Sequence, residues 1–95
     1  MEVKYTKQGS KGAFYIEKDG RHLADMTFSM AGTSIMIIDH TEVNDSLRGT
    51  GAGKKMVEAA VELARKENFK ILPLCPFAKA VMEKTTEWHD VLEIR

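Results

Sequence analysis

Leu47-Arg48-Gly49-Thr50-Gly51-Ala52-Gly53-Lys54-Lys55 joins a strand-rich first half of the chain to its only long helical pattern. Three of the seven glycines fall here. Alternate glycines permit positive φ and leave no Cβ between main-chain N–H groups and a ligand. A turn of this kind at the mouth of a helix aims unpaired N–H groups and the positive end of the helix dipole at one point, which suits a phosphate. Arg48 and Lys54 add a fork of donors and a point charge, a pair that fits a diphosphate better than a carboxylate. Two familiar phosphate loops do not match. A P-loop requires glycine where Arg48 stands and a hydroxyl where Lys55 stands, and a dinucleotide fingerprint requires a third glycine at Lys54. The plain alternative is a glycine turn before an ordinary helix.

The chain outside this stretch bounds the answer. Its 95 residues make one domain, 1–95, able to bury roughly two-thirds of its surface. Hydrophobic content of 43% and charged content of 29% are those of a soluble globule. With 14 basic and 14 acidic residues, no net field draws it to nucleic acid or an anionic membrane. The longest apolar run, Ile35 to Ile38, is far short of a span, and the N-terminus has no apolar signal core, so a cytoplasmic protein is expected. One cysteine excludes an internal disulfide and argues against a structural zinc site.

Val3 to Thr6 alternates as a short edge strand before Gly9 and Gly12 interrupt it, and Ala13 to Glu17 is a strand closed by an Asp19-Gly20 hairpin turn. His22 to Met30 alternates as a half-buried strand, and the continuous apolar run in Ser34 to Val43 predicts a central strand covered on both faces. Met56, Val57, Ala59, Ala60, Val61, Leu63 and Ala64 recur at helical spacing after the loop, with Lys55, Glu58, Glu62, Arg65 and Lys66 on the polar side, a Glu62–Lys66 pair, and Asn68 as the left-handed stop. Phe69 to Cys75 reads as a strand that Pro73 parts from its neighbour. Ala78 to Lys84 is a short helix, and Trp88, Val91, Leu92 and Ile94 form an apolar tail.

Arg48-x-x-Gly51-x-Gly53, placed between a strand and a helix, resembles the motif with which the GNAT superfamily of N-acetyltransferases holds the pyrophosphate of acetyl-coenzyme A. His40-Thr41-Glu42-Val43 and the segment Leu72 to Ala80, which contains Cys75-Pro76-Phe77, extend the likeness to a short GNAT-like family of about this length. The resemblance implies an α+β fold: a mixed, mainly antiparallel sheet, one long helix after the glycine loop and a short C-terminal helix. It implies acetyl-coenzyme A as cosubstrate, no metal, and an amine acceptor that the sequence does not identify. It places the diphosphate on the amides of Gly49, Thr50, Gly51, Ala52, Gly53 and Lys54 with help from Arg48. The backbone N–H groups of Glu42 and Val43 would meet the pantetheine or polarise the carbonyl, with Thr41, Cys75, Phe77 and Lys79 completing the coenzyme contacts. Thr85-Thr86-Glu87-Trp88 departs from the His-Pro-Glu-Tyr usual in the family, so no role falls to a C-terminal tyrosine hydroxyl.

Acetyl transfer needs a held thioester, a neutral amine and a way to discharge the departing thiolate. Cys75 is the candidate nucleophile or general acid, two roles that need opposite charge states; its alternative is a small buried hydrophobe. His40 is a candidate base, as is Glu42 through water, against the alternatives of a strand-end histidine and a solvated carboxylate. His22 and His89 carry no mark in the sequence. Three functions stay open: an N-acetyltransferase, a coenzyme A binding module without useful catalysis, and an adaptor without coenzyme. A monomer or weak homodimer paired through the first strand is expected.

Overall fold

The computed structural model describes residues 1–93. Its sheet runs in chain order: β1 (Lys4–Gln8), β2 (Lys11–Lys18), β3 (Arg21–Ala31) and β4 (Ile35–Val43) form an antiparallel meander, and β5 (Lys70–Pro73) joins β4 in parallel. The Asp19-Gly20 turn closes β2 onto β3 with φ of 53° and 77°. Gly12 does not interrupt a strand. It lies inside β2, where a Cβ would stand 2.4 Å from the Thr6 carbonyl oxygen and 2.6 Å from the Phe28 ring. The last strand is shorter than its sequence suggests, because the chain turns at Leu74 into a helix.

Helix α1 (Ala52–Glu67) begins four residues before Met56, where the apolar period starts, and Asn68 ends it at φ 63°, ψ 49°. Helix α2 (Pro76–Lys84) has proline at its first position, where the absent N–H is no loss. Both helices lie on one face of the sheet. Phe14, Ile16, Ala24, Met26, Phe28, Met36, Ile38 and Ile71 turn toward them and are buried with Met56, Val57, Val61 and Met82. Each such large side chain contributes about 1.5–3 kcal/mol of transfer free energy. The expectation that β4 is covered on both faces is therefore corrected: Met36 and Ile38 are buried, whereas Ile35 and Ile37 are only half-buried on the uncovered side. A run of isoleucines does not distinguish a central strand in a two-layer fold from one in a three-layer fold.

The β3–β4 ladder carries a bulge. Phe28 pairs with Ile38 but Thr27 pairs with His40, which leaves Asp39 as the extra residue. Asp39 accepts a 3.1 Å hydrogen bond from the Ser29 hydroxyl on the uncovered face. Past the bulge, Thr41 pairs with Met26 and Val43 with Ala24, so these two turn inward, while His40 and Glu42 turn outward opposite Thr27 and Asp25.

Beyond α2 the chain winds through a 3₁₀ segment, Thr86–Val91, that buries Trp88 and Val91, and Leu92 bridges to Ile71. Ile94, read as part of this apolar tail, lies outside the described residues. Arg65 holds the segment to α1. Its guanidinium donates to both carboxylate oxygens of Asp90, at 3.0 and 2.8 Å, and to the Glu87 carbonyl at 2.6 Å. The expected Glu62–Lys66 pair is not formed among the described residues.

The Arg65 hydrogen bond holds the Asp90 carboxyl below its usual value. The sign follows: a depressed carboxyl stabilises the fold above the unfolded pKa, and that gain disappears as pH falls through the folded value. Asp90→Asn should thus lower stability at neutral pH, and the difference from wild type should close below about pH 4, as read by urea unfolding at stepped pH.

Candidate functional site

Between β4 and α1 a 3₁₀ turn, Asp45–Leu47, is capped by Asn44, whose side-chain oxygen accepts from the Ser46 N–H at 2.9 Å. The Thr50 N–H and hydroxyl both donate to the Leu47 carbonyl, at 3.2 and 2.5 Å. Gly49 and Gly51 take φ of 82° and 81°, which bends the main chain into the start of α1 with open space where their Cβ atoms would be. Gly51 is the N-cap and no side chain caps it. The first intrahelical donor is the Lys55 N–H, bonded to the Gly51 carbonyl at 3.0 Å. The N–H groups of Ala52, Gly53 and Lys54 therefore face out of the helix end, as at any N-terminus without a capping side chain.

Gly53 has a different purpose from the other two. It is already helical, and a Cβ there would stand 2.4 Å from Cζ of Phe77. Its bareness lets the α2 ring rest on the first turn of α1. The ring and the turn enclose a groove of about 360 Å³ that Val43, Leu47 and Val81 also line. Arg48 lies at its rim, paired with Asp45 at 3.0 Å. The Lys54 ammonium stands 6.0 Å from the centre of the Trp88 ring. Lys79 is elsewhere, lining a separate cavity with Leu72, Leu74 and Leu92.

Parallel pairing between β4 and β5 ends at Ile38 and Pro73. The Leu74 and Cys75 N–H groups both donate to the Ile38 carbonyl at 3.1 Å, and beyond this point the two segments diverge. The Asn44 N–H donates to the Leu23 carbonyl, so alternation along β4 aims the Glu42 N–H at β3 and those of Thr41 and Val43 at the opening. Cys75 borders that opening as the N-cap of α2. It is 5% exposed, and its thiol lies 3.3 Å from the Thr41 hydroxyl. Burial pushes the thiol up. The Thr41 hydroxyl, the backbone of Ala78 and Phe77 and the backbone of Thr41 outweigh that and hold it below its ordinary value.

A family model described as GCN5-related N-acetyl-transferase matches residues 13–91. The chain belongs to this family. A GCN5-like protein from Staphylococcus aureus, solved in solution, is 38% identical with a TM-score of 0.74; the match covers 95% of this chain and 87% of that one. Two larger enzymes share the fold at lower identity. One is a ribosomal-protein-alanine N-acetyltransferase from Brucella melitensis (16% identity, TM-score 0.65, 93% of this chain and 65% of that one). The other is an aminoglycoside acetyltransferase from a soil metagenome (14%, 0.61, 93% and 62%). The chain thus spans less than two-thirds of the length of these two. No curated protein matches the sequence.

Within this GCN5-related domain, the glycine turn, Val43 and Phe77 share one groove, and Thr41 meets Cys75. His40 and Glu42 stand on the other face of β4. Sequence reading passed over His22. Its Nδ1 lies 2.6 Å from an Asp25 carboxylate oxygen, its ring stacks on Tyr15 at 4.3 Å, and both His22 and Glu42 line a cavity of about 170 Å³. His22 and Asp25 are three apart, which puts them on opposite faces of a regular strand. A register shift at Leu23, where Ile16 pairs with Ala24 and Glu17 with His22, brings them to one face, and periodicity carries no signal of such a shift.

Gly51→Ala meets no steric block but forces an L residue to positive φ. It should cost about 1–2 kcal/mol in urea unfolding. Gly53→Ala keeps its helical φ and should instead displace the Phe77 ring, read as chemical-shift changes centred on Phe77 and Val81.

Proposed function

We propose that this chain is a small N-acetyltransferase that moves an acetyl group from acetyl-coenzyme A to an amine. The reading is carried by one convergence: an uncapped helix start reached through Gly49 and Gly51 opens onto the same groove as Val43 and Phe77, beside the point where β4 and β5 separate. The open space at Gly49 and Gly51 fits the diphosphate, since any Cβ there would stand between it and the amides. Arg48 would exchange its exposed Asp45 partner for phosphate, and Lys54 would swing from Trp88. Lys79 contributes only if the carrier reaches past the groove.

The cosubstrate supplies a thioester whose acyl carbon accepts the amine. The chain's own part is to hold and polarise. The Val43 N–H, turned to the strand opening, could meet an amide or carbonyl oxygen there as an oxyanion donor, whereas the Glu42 N–H expected beside it is turned to β3 and that of Thr41 points at the Cys75 sulfur. Cys75, whose thiol is held below its ordinary value by the hydrogen bonds around it, acts on the sulfur side as nucleophile or as the acid that protonates the departing thiolate. His40 and Glu42 face the uncovered side, from which the amine would arrive, and either can take its proton directly or through water.

The low exposure of Cys75 favours a second reading, a coenzyme A binding domain in which the thiol is only packing. Two measurements separate the readings. Acetyl-coenzyme A at about 100 times its dissociation constant should raise the unfolding free energy by about 2.7 kcal/mol, and no thermal shift would defeat both. Cys75→Ala should abolish saturable transfer to a panel of amines while leaving that shift intact; unchanged transfer would remove Cys75 from the mechanism.

A further inference from the structure

We infer that Thr41 is a positioning residue for Cys75: its hydroxyl, turned inward by the β4 bulge, bonds the sulfur and fixes where it lies. The inference rests on the proposed role of Cys75 and adds a residue whose effect is exerted through it. Met36 and Ile38 set an inward parity that an uninterrupted strand would continue to His40 and Glu42, leaving Thr41 on the outer face. Asp39, held by Ser29 across the ladder, is the extra residue that reverses this. Thr41 then faces α2, where its hydroxyl meets the Cys75 sulfur at 3.3 Å.

A threonine hydroxyl is both donor and acceptor. It accepts from the S–H of the thiol and, by rotating, donates to the thiolate, so it serves either protonation state that the chemistry requires. Its β-branched side chain has few rotamers, which limits where the sulfur can lie. The other donors near the sulfur are main-chain groups of Ala78, Phe77 and Thr41. Asp39, His40 and Glu42 of β4 face the uncovered side, Lys70 of β5 donates to the Asp90 carbonyl, Lys79 of α2 lines another cavity, and Lys54 of α1 stands by Trp88. Among the described residues, the Thr41 hydroxyl is the side-chain group that the structure sets against this thiol.

The test uses the fact that Cys75 is the only cysteine, so the ultraviolet absorbance of its thiolate is read without ambiguity. Thr41→Val keeps the shape and removes the hydroxyl; the titration midpoint should rise by about one pH unit, and Thr41→Ser should restore it. Circular dichroism confirms that each variant is folded, and Thr41→Ala replaces the valine variant if that one does not fold. An unchanged midpoint without the hydroxyl overturns the inference, as does a serine variant that titrates like the valine one. Failure of the proposed function is separately visible: unimpaired transfer by Cys75→Ala would end the catalytic role while the midpoint shift in Thr41→Val remained.

Discussion

The Ile38 carbonyl is where the fold divides. It accepts from both Leu74 and Cys75, and it does so because Pro73 has no N–H to carry the parallel ladder further. Up to that oxygen, β4 and β5 are ordinary neighbours in a sheet. Beyond it, β4 continues through Val43 with one edge unpaired while the other segment turns into α2. A pair of strands that parts in this way leaves main-chain donors pointing into a space that a peptide-like ligand can enter, which is costly unless the space is wet or filled. The glycine turn shares a groove with Val43 and Phe77, and Cys75 stands at the start of α2, two residues before Phe77.

The covered face explains why so short a chain can sustain this opening. The two helices bury a single layer of side chains that spans β2 to β5, and Arg65 ties the last segment back onto α1, so the sheet does not need its distal edge to be paired. The uncovered face keeps Tyr15, His22, Asp25, His40 and Glu42 in contact with solvent. The two faces therefore differ, with apolar burial and the thiol on one and His22, Asp25, His40 and Glu42 on the other.

Much of this was legible in the residues. Alternation in Ala24, Met26 and Phe28, the helical period from Met56 to Ala64, the left-handed stop at Asn68 and the break at Pro73 each correspond to an observed feature. What was not legible depends on partners rather than on local pattern. Gly53 looks like a third turn residue until the Phe77 ring is placed against it. The four apolar residues from Ile35 give no sign that only one side is covered. Two ladder irregularities, at Leu23 and at Asp39, each exchange inner and outer side chains for the residues that follow, and neither residue type marks a bulge. The second of these decides that a threonine rather than a histidine faces Cys75.

The Phe77 ring seated on Gly53 also fixes a length. One helix presents its start to the glycine turn, the next presents its start to the thiol, and the ring wedges the first turns of the two together. That contact sets the spacing of the two helix starts, so if the proposed reading holds, a carrier whose arm does not match this span would seat its anionic end and leave its reactive end out of register with the sulfur.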